Sequence, residues 1–137
     1  MTSSSPKASL GLVYDTGALI AAEGNDRRMW ALHARALQRG VRPIVPAGCV
    51  VEAWRGGRQP SLGRLLAGCE TETLNEDRAR AAGILRRGVG VGVSVGAIDA
   101  TVAETAIRVR AAVVTSDRVD LEQLEESARR RIGIIDI

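Results

Sequence analysis

Acidic residues are the side chains of this sequence with the clearest chemical potential. Asp15 ends the apolar run Leu10-Gly-Leu-Val-Tyr14, and Asp117 follows Ala111-Ala-Val-Val-Thr-Ser116. Asp99 opens an apolar-periodic segment after a Gly-rich stretch, and Glu52 follows the short run Pro43-Ile-Val-Pro46. In a parallel α/β sheet, ligand sites form beyond the carboxyl ends of the strands, so these four acids could meet there. Several ionised carboxylates held together repel one another and raise each other's pKa. A divalent cation relieves that conflict. Oxygen donors without nearby His or Cys point to Mg²⁺ or Mn²⁺, ions that activate water and neutralise charge in phosphoryl displacement. Each acid also has a plainer reading: Asp15, Asp99 and Asp117 as helix caps, Glu52 as a solvated helical residue.

Other chemistries find little support. His33, the only histidine, lies inside a helical pattern and reads as a surface or boundary residue. Cys49 and Cys69 form no CxxC motif, so they read as reduced thiols rather than zinc ligands. Glu104, beyond Asp99, reads as solvent-facing, and Asp136 as an exposed edge position. Trp54 reads as core or interface rather than a base-stacking platform. The Gly88–Gly96 run lacks GxxxxGK[ST], and its glycines have no strand-turn-helix setting, so it is not a phosphate or dinucleotide loop.

The elements that must position the acids follow from periodicity. Short apolar runs at Leu10–Tyr14, Pro43–Pro46, Ala111–Thr115 and Ile132–Ile137 read as strands, and Glu70–Leu74 as an exposed or edge strand. Helical patterns cover Gly17–Ala22, Arg28–Arg39, Cys49–Trp54, Leu62–Ala67, Glu76–Arg87, Ile98–Arg110 and Arg118–Ala128. Ile98, Val102, Ala106 and Val109 form one stripe of the sixth. Gly88–Gly96 reads as a loop. Strands alternating with helices predict an α/β three-layer sandwich with a mainly parallel sheet.

At 137 residues the chain fits one domain, expected over 10–137 behind a disordered Ser-rich leader over 1–9. No run approaches the ~20 apolar residues of a membrane span, and a soluble cytoplasmic protein is expected. The net charge is +3 with Lys7 the only lysine. Arginine suits bidentate contact with phosphate, and a surface outside an acidic pocket would be more positive than the net charge. Arg86 and Arg87 could touch nucleic-acid phosphate, although a charged helix end gives the same pattern. Three aromatic residues, Tyr14, Trp30 and Trp54, offer little for base stacking.

Val13-Tyr-Asp15-Thr-Gly-Ala-Leu-Ile20 resembles the opening motif of PIN domains, and Val50-Val-Glu52-Ala resembles their second element. Ala97-Ile-Asp99-Ala-Thr-Val-Ala103 and Val113-Val-Thr-Ser-Asp117-Arg-Val-Asp120-Leu resemble the third and fourth. The match runs from Leu10 to Ile137, with a size most like VapC-type toxins of bacterial toxin–antitoxin pairs. The resemblance implies a PIN-like fold and a Mg²⁺-dependent endoribonuclease, with Mn²⁺ as a possible substitute. Asp15, Asp99 and Asp117 would bind metal, Glu52 directly or through water, and Asp120 as a further acid. Thr115 or Ser116 would hydrogen-bond a site carboxylate or water. RNA as substrate, products with 5′-phosphate and 3′-hydroxyl ends, a cognate antitoxin and a homodimer are implied in the same way. Gly17 departs from the pattern, standing where Ser or Asn is common.

Three rivals are weighed. A haloacid-type phosphatase needs a second Asp two residues after the first, where Gly17 stands. A receiver domain needs a paired acid cluster early in the chain and a late Lys, and has neither. A non-catalytic PIN module for RNA binding or interaction should have lost an acid, whereas a housekeeping RNA-processing nuclease would share the whole site.

Overall fold

The computed structural model describes residues 11–90 and 92–137. The expected leader, Leu10 of the first expected strand, and Val91 of the Gly-rich run lie outside the described residues. Five strands, β1 (Leu12–Tyr14), β2 (Ile44–Pro46), β3 (Glu70–Glu72), β4 (Ala112–Thr115) and β5 (Ile134–Asp136), form one sheet in the order β3-β2-β1-β4-β5. Every pairing is parallel. The described residues form seven helices, α1 (Thr16–Glu23), α2 (Arg27–Gln38), α3 (Ala47–Ala53), α4 (Pro60–Ala67), α5 (Glu76–Arg87), α6 (Ala97–Val109) and α7 (Arg118–Ala128). This is the PIN-like α/β arrangement, with the sheet parallel throughout. No helix among the described residues is long and apolar enough to cross a membrane.

The sheet centre is built from residues that favour strands on both faces. Val13, Tyr14, Val45, Val113 and Val114 are fully buried, and buried parallel strands are apolar runs of this kind. Register aligns Leu12, Val13 and Tyr14 with Ala112, Val113 and Val114. Their carboxyl ends therefore lie side by side, and the chain leaves β1 and β4 on the same edge. The outer strand β3 carries Glu70, Thr71 and Glu72, the polar composition expected of an edge. Residues 88–90 and 92–96 form turn and loop.

The sixth helix departs from the one-stripe expectation. Residues Ala100 to Ala106 of α6 are all buried. One face of α6 meets the sheet and α5 packs along another. Arg78 near the start of α5 and Arg108 near the end of α6 both pair with Glu72. Arg86, near the end of α5, donates to the carbonyl of Val95 just before α6 at 2.7 Å, so the two helices run antiparallel. Small side chains, Ala100, Ala103 and Ala106, let the neighbours approach closely. The expectation for Glu104 fails for this reason: it is buried under α5 rather than solvent-facing, and Arg108 Nε donates to it at 2.8 Å.

His33 is likewise buried rather than superficial, with its Nδ1 2.8 Å from the Tyr14 hydroxyl. Burial lowers its pKa, so it is a neutral member of the core. Trp54 lies outside the core, 44% exposed. Asp136 is exposed on the edge strand β5 and accepts from Arg118 at 2.8 Å.

Candidate functional site

The carboxyl edge of the sheet gathers the acids from four separate elements. Asp15 is the residue after β1 and caps α1, its Oδ1 accepting from the Ala18 N–H at 2.9 Å. It is only 8% exposed. Burial raises its pKa; hydrogen bonds from Thr115 and the N–H groups of Ala18 and Gly17 oppose the rise, and Asp117 adds to it. Capping and a site role are compatible here, because the cap bond engages Oδ1 alone.

Asp99 stands in the first turn of α6, where Gly96 at the cap offers no side chain. Its pKa is pushed up to about 6, chiefly by burial, then by the charge and hydrogen bonding of Asp120 and the charges of Asp117 and Asp15. Asp117 occupies the cap position of α7 but makes no side-chain cap hydrogen bond, which leaves its exposed carboxylate free toward the edge. Asp120 follows in the first turn of α7, half-buried.

Glu52 lies next to the end of α3. The chain turns helical immediately after Pro46, so α3 starts at Ala47, two residues before the expected Cys49. Glu52 is exposed, and its Oε1 accepts from the Thr16 hydroxyl at 2.5 Å. That bond ties α3 to the first residue of α1. Sequence reasoning missed Thr16, although its place directly after Asp15 was a usable signal.

Thr115, fully buried at the end of β4, connects two of the acids. Its Oγ1 accepts from the Asp117 N–H at 2.8 Å, and its hydroxyl lies close enough to Asp15 to lower that carboxyl's pKa. A hydroxyl has one donor and two acceptor sites, so a single side chain can serve both strand ends. Ser116 takes a different place. A Cβ built on Gly17 would lie 2.1 Å from Ser116 Oγ and 3.3 Å from Asp15 Oδ1. The space that a side chain at position 17 would need is filled by the Ser116 hydroxyl, arriving from the neighbouring strand. The departure at Gly17 therefore leaves no gap in the polar surface.

The remaining groups define what the edge can hold. Cys49 on α3 feels the charges of Asp15, Glu52 and Asp99, but burial is the main cause that pushes its thiol up to about 12. It stays protonated beneath the acids. No ion pair among the described residues involves Asp15, Glu52, Asp99, Asp117 or Asp120. The N-termini of α1, α6 and α7 offer partial positive charge in compensation. Among the described residues the acids lie within Coulombic reach of one another without closing into a formed ligand shell. Their donor chemistry, carboxylate oxygen throughout, fits a hard divalent cation. Arg86 and Arg87 lie at the end of α5, both exposed. The Nε of Arg86 donates to the Val95 carbonyl, and Arg86 takes part in no ion pair among the described residues.

No family model and no curated protein sequence matches the chain. Its fold, however, is shared with solved PIN-like structures. A chain of VapBC2 from Rickettsia felis, bound to a DNA fragment from its promoter, aligns with a TM-score of 0.73 at 14% identity, covering 93% of this chain and 99% of that one. FitAcB from Neisseria gonorrhoeae aligns at 0.63 and 17% identity over 90% and 96% of the two chains. FitAB bound to an IR36 DNA fragment aligns at 0.65 and 17% over 91% and 94%.

Proposed function

We propose that this chain is a divalent-metal-dependent endoribonuclease and the toxin of a toxin–antitoxin pair. The observation that carries the reading is a set of carboxylates at one sheet edge, Asp15, Asp99, Asp117 and Asp120 with Glu52 beside them, that take part in no ion pair among the described residues. Folding would not concentrate uncompensated charge there unless a positive ligand completed the site.

Asp15, Asp99 and Asp117 would hold Mg²⁺ or Mn²⁺, with Glu52 joining directly or through water and Asp120 as a further donor. Such an ion supplies Lewis acidity, activating water at neutral pH and neutralising charge on a phosphodiester. The chain's own residues do the positioning. Thr115 fixes Asp15 relative to the backbone of Asp117, and Thr16 fixes Glu52. Arg86 and Arg87 would hold the phosphate backbone outside the acidic edge. Hydrolysis would leave 5′-phosphate and 3′-hydroxyl ends.

The structural likeness to chains of VapBC2 and FitAB supports the toxin role over a housekeeping nuclease. An antitoxin partner, a homodimer and a cytoplasmic setting belong to the same proposal. The test is cleavage of end-labelled RNA with Mg²⁺, Mn²⁺ or EDTA, by wild type and Asp99→Asn. Mg²⁺-dependent cleavage that falls at least about a hundredfold in the variant is expected, since charge stabilisation of this kind is worth several kcal/mol. Cleavage that survives both EDTA and the substitution rejects the reading.

A further inference from the structure

Toward the other end of α6, about 8–16 Å from Asp99 by the rise of the helix, the surface has the opposite character. A groove of about 470 Å³ runs between α5, α6 and α7, with Ala81, Ile84, Leu85 and Ile107 among its apolar lining and Arg110 and Arg130 at its rim. A second hollow of about 380 Å³ shares Ile107, Arg110 and Arg130 and adds Arg131. Ile84 is 73% exposed and lines the groove together with Leu85 and Ile107, so the apolar surface there is contiguous. The one acid in the lining, Glu104, is already neutralised by Arg108. Arg110, Arg130 and Arg131 take part in no ion pair among the described residues.

The backbone adds an independent sign. Arg110 ends α6 at φ 56°, and Arg129 ends α7 at φ 53°, both in the left-handed region. Glycine is the usual residue there, and a side chain costs about 1 kcal/mol or more. The chain has 15 glycines and spends none of them at these two positions. Arginine stands at both, one at the rim of the groove and one beside it.

We infer that this groove is a docking site for an acidic, aliphatic segment of a partner protein. Leucine- or isoleucine-like side chains would enter between Ile84, Leu85 and Ile107, and flanking carboxylates would meet Arg110, Arg130 and Arg131. Charge complementarity selects this occupant. The N-terminal residues 1–9 of the chain carry Lys7 and no acid, so they do not match. Nucleic acid would satisfy the arginines but gains little from an aliphatic floor with no aromatic face for its bases. The groove is remote from the acidic edge, so an occupied groove leaves that edge open: it would tether or place the protein rather than block it. The inference does not depend on the nuclease reading.

A synthetic helical peptide about four turns long, with leucines on one face and glutamates flanking them, serves as the probe. Fluorescence anisotropy with the full chain should give a Kd on the order of 10 µM, weakened about tenfold or more by Ile84→Glu and by Arg130→Glu. The same peptide with lysine for glutamate should not bind. Absent binding by wild type, equal binding of the lysine peptide, or indifference to both substitutions overturns the inference. So does competition by single-stranded DNA at these residues, which would make the groove a nucleic-acid track. Ile84→Glu converting a dimer to a monomer in sedimentation would make it a contact between copies, and would overturn it equally.

Discussion

Two clusters of acidic side chains lie within one molecule and are treated in opposite ways. Glu104 is buried and Glu72 partly buried, with side chains 9% and 11% exposed, but each meets Arg108, and Arg78 approaches Glu72 at 3.8 Å. The two carboxylates hold the Arg108 charge more firmly than usual, first through the hydrogen bonds from Glu104 and Glu72. Charge and counter-charge close on themselves, and the product is mechanical: the ends of β3, α5 and α6 are joined. Asp15, Asp99, Asp117 and Asp120 enter no ion pair among the described residues, and burial, followed by the neighbouring acids, pushes the Asp99 carboxyl up to about 6. What separates the clusters is not the residue type but whether the sequence supplies its own cation. A cluster that balances itself is architecture; one left unbalanced is prepared for something positive from outside.

The sharpest way to break this comparison is to neutralise one acid in each cluster. Glu104→Gln leaves Arg108 partly uncompensated beneath α5, and removing one member of a buried pair costs about 3 kcal/mol or more. Asp99→Asn, in metal-free protein, removes repulsion and should leave stability unchanged or higher. Urea denaturation in EDTA reads both. Losses of similar size in the two variants would mean that the acidic edge is also a self-balanced structural cluster.

The sequence made one cluster visible and hid the other, for a physical reason. Asp15 and Asp117 are placed by local logic: each follows an apolar strand, and parallel register brings strand ends together. Helix bounds were legible where caps are local, as with Asn75, whose side chain accepts from the Arg78 N–H ahead of α5. Glu104, by contrast, sits on the face of α6 that periodicity assigns to solvent, and only the return of α5 across it makes that face interior. His33 was misplaced for the same reason, since its partner Tyr14 comes from a strand 19 residues away. The Ser116 hydroxyl over Gly17 and the Thr16 bond to Glu52 depend on how elements meet, and no spacing rule announces them.

The pH dependence of stability sharpens the contrast. Asp99 has an ordinary carboxyl value of 3.8 when unfolded and about 6 when folded. Between these values the unfolded chain releases its proton first, so ionisation favours unfolding and stability falls as pH rises from about 4 to about 6. The loss is bounded by about 3 kcal/mol, and the raised value of Asp15 adds in the same direction. Denaturation at a series of pH values in EDTA should show this slope, and Asp99→Asn should flatten it. Added Mg²⁺ should raise the midpoint at pH 7 in wild type and do so far less in Asp99→Asn. A metal-free protein that gains stability across that window would contradict the uncompensated state assigned to the edge.

The smallest effect tests how the unbalanced cluster is held without counter-charge. Helix starts and hydroxyls carry that task, and the most crowded point is where Ser116 Oγ stands 2.1 Å from the place of a Cβ on Gly17. Gly17→Ala must displace the serine hydroxyl or the α1 start, at about 1–2 kcal/mol, the usual cost of overpacking. Ser116→Gly alone removes a side chain from an exposed position and should cost less. Combined, Gly17→Ala/Ser116→Gly should recover most of the loss, a coupling of about 1 kcal/mol in a double-mutant cycle. Gly17→Ser with Ser116→Gly goes further, returning a hydroxyl to the same space from the start of α1. If that exchange keeps stability and RNA cleavage while Gly17→Ala loses both, the hydroxyl is needed at that point in space and not at that point in the chain. Additive losses would instead show that Ser116 merely occupies room, and that the backbone of α1 holds Asp15 unaided.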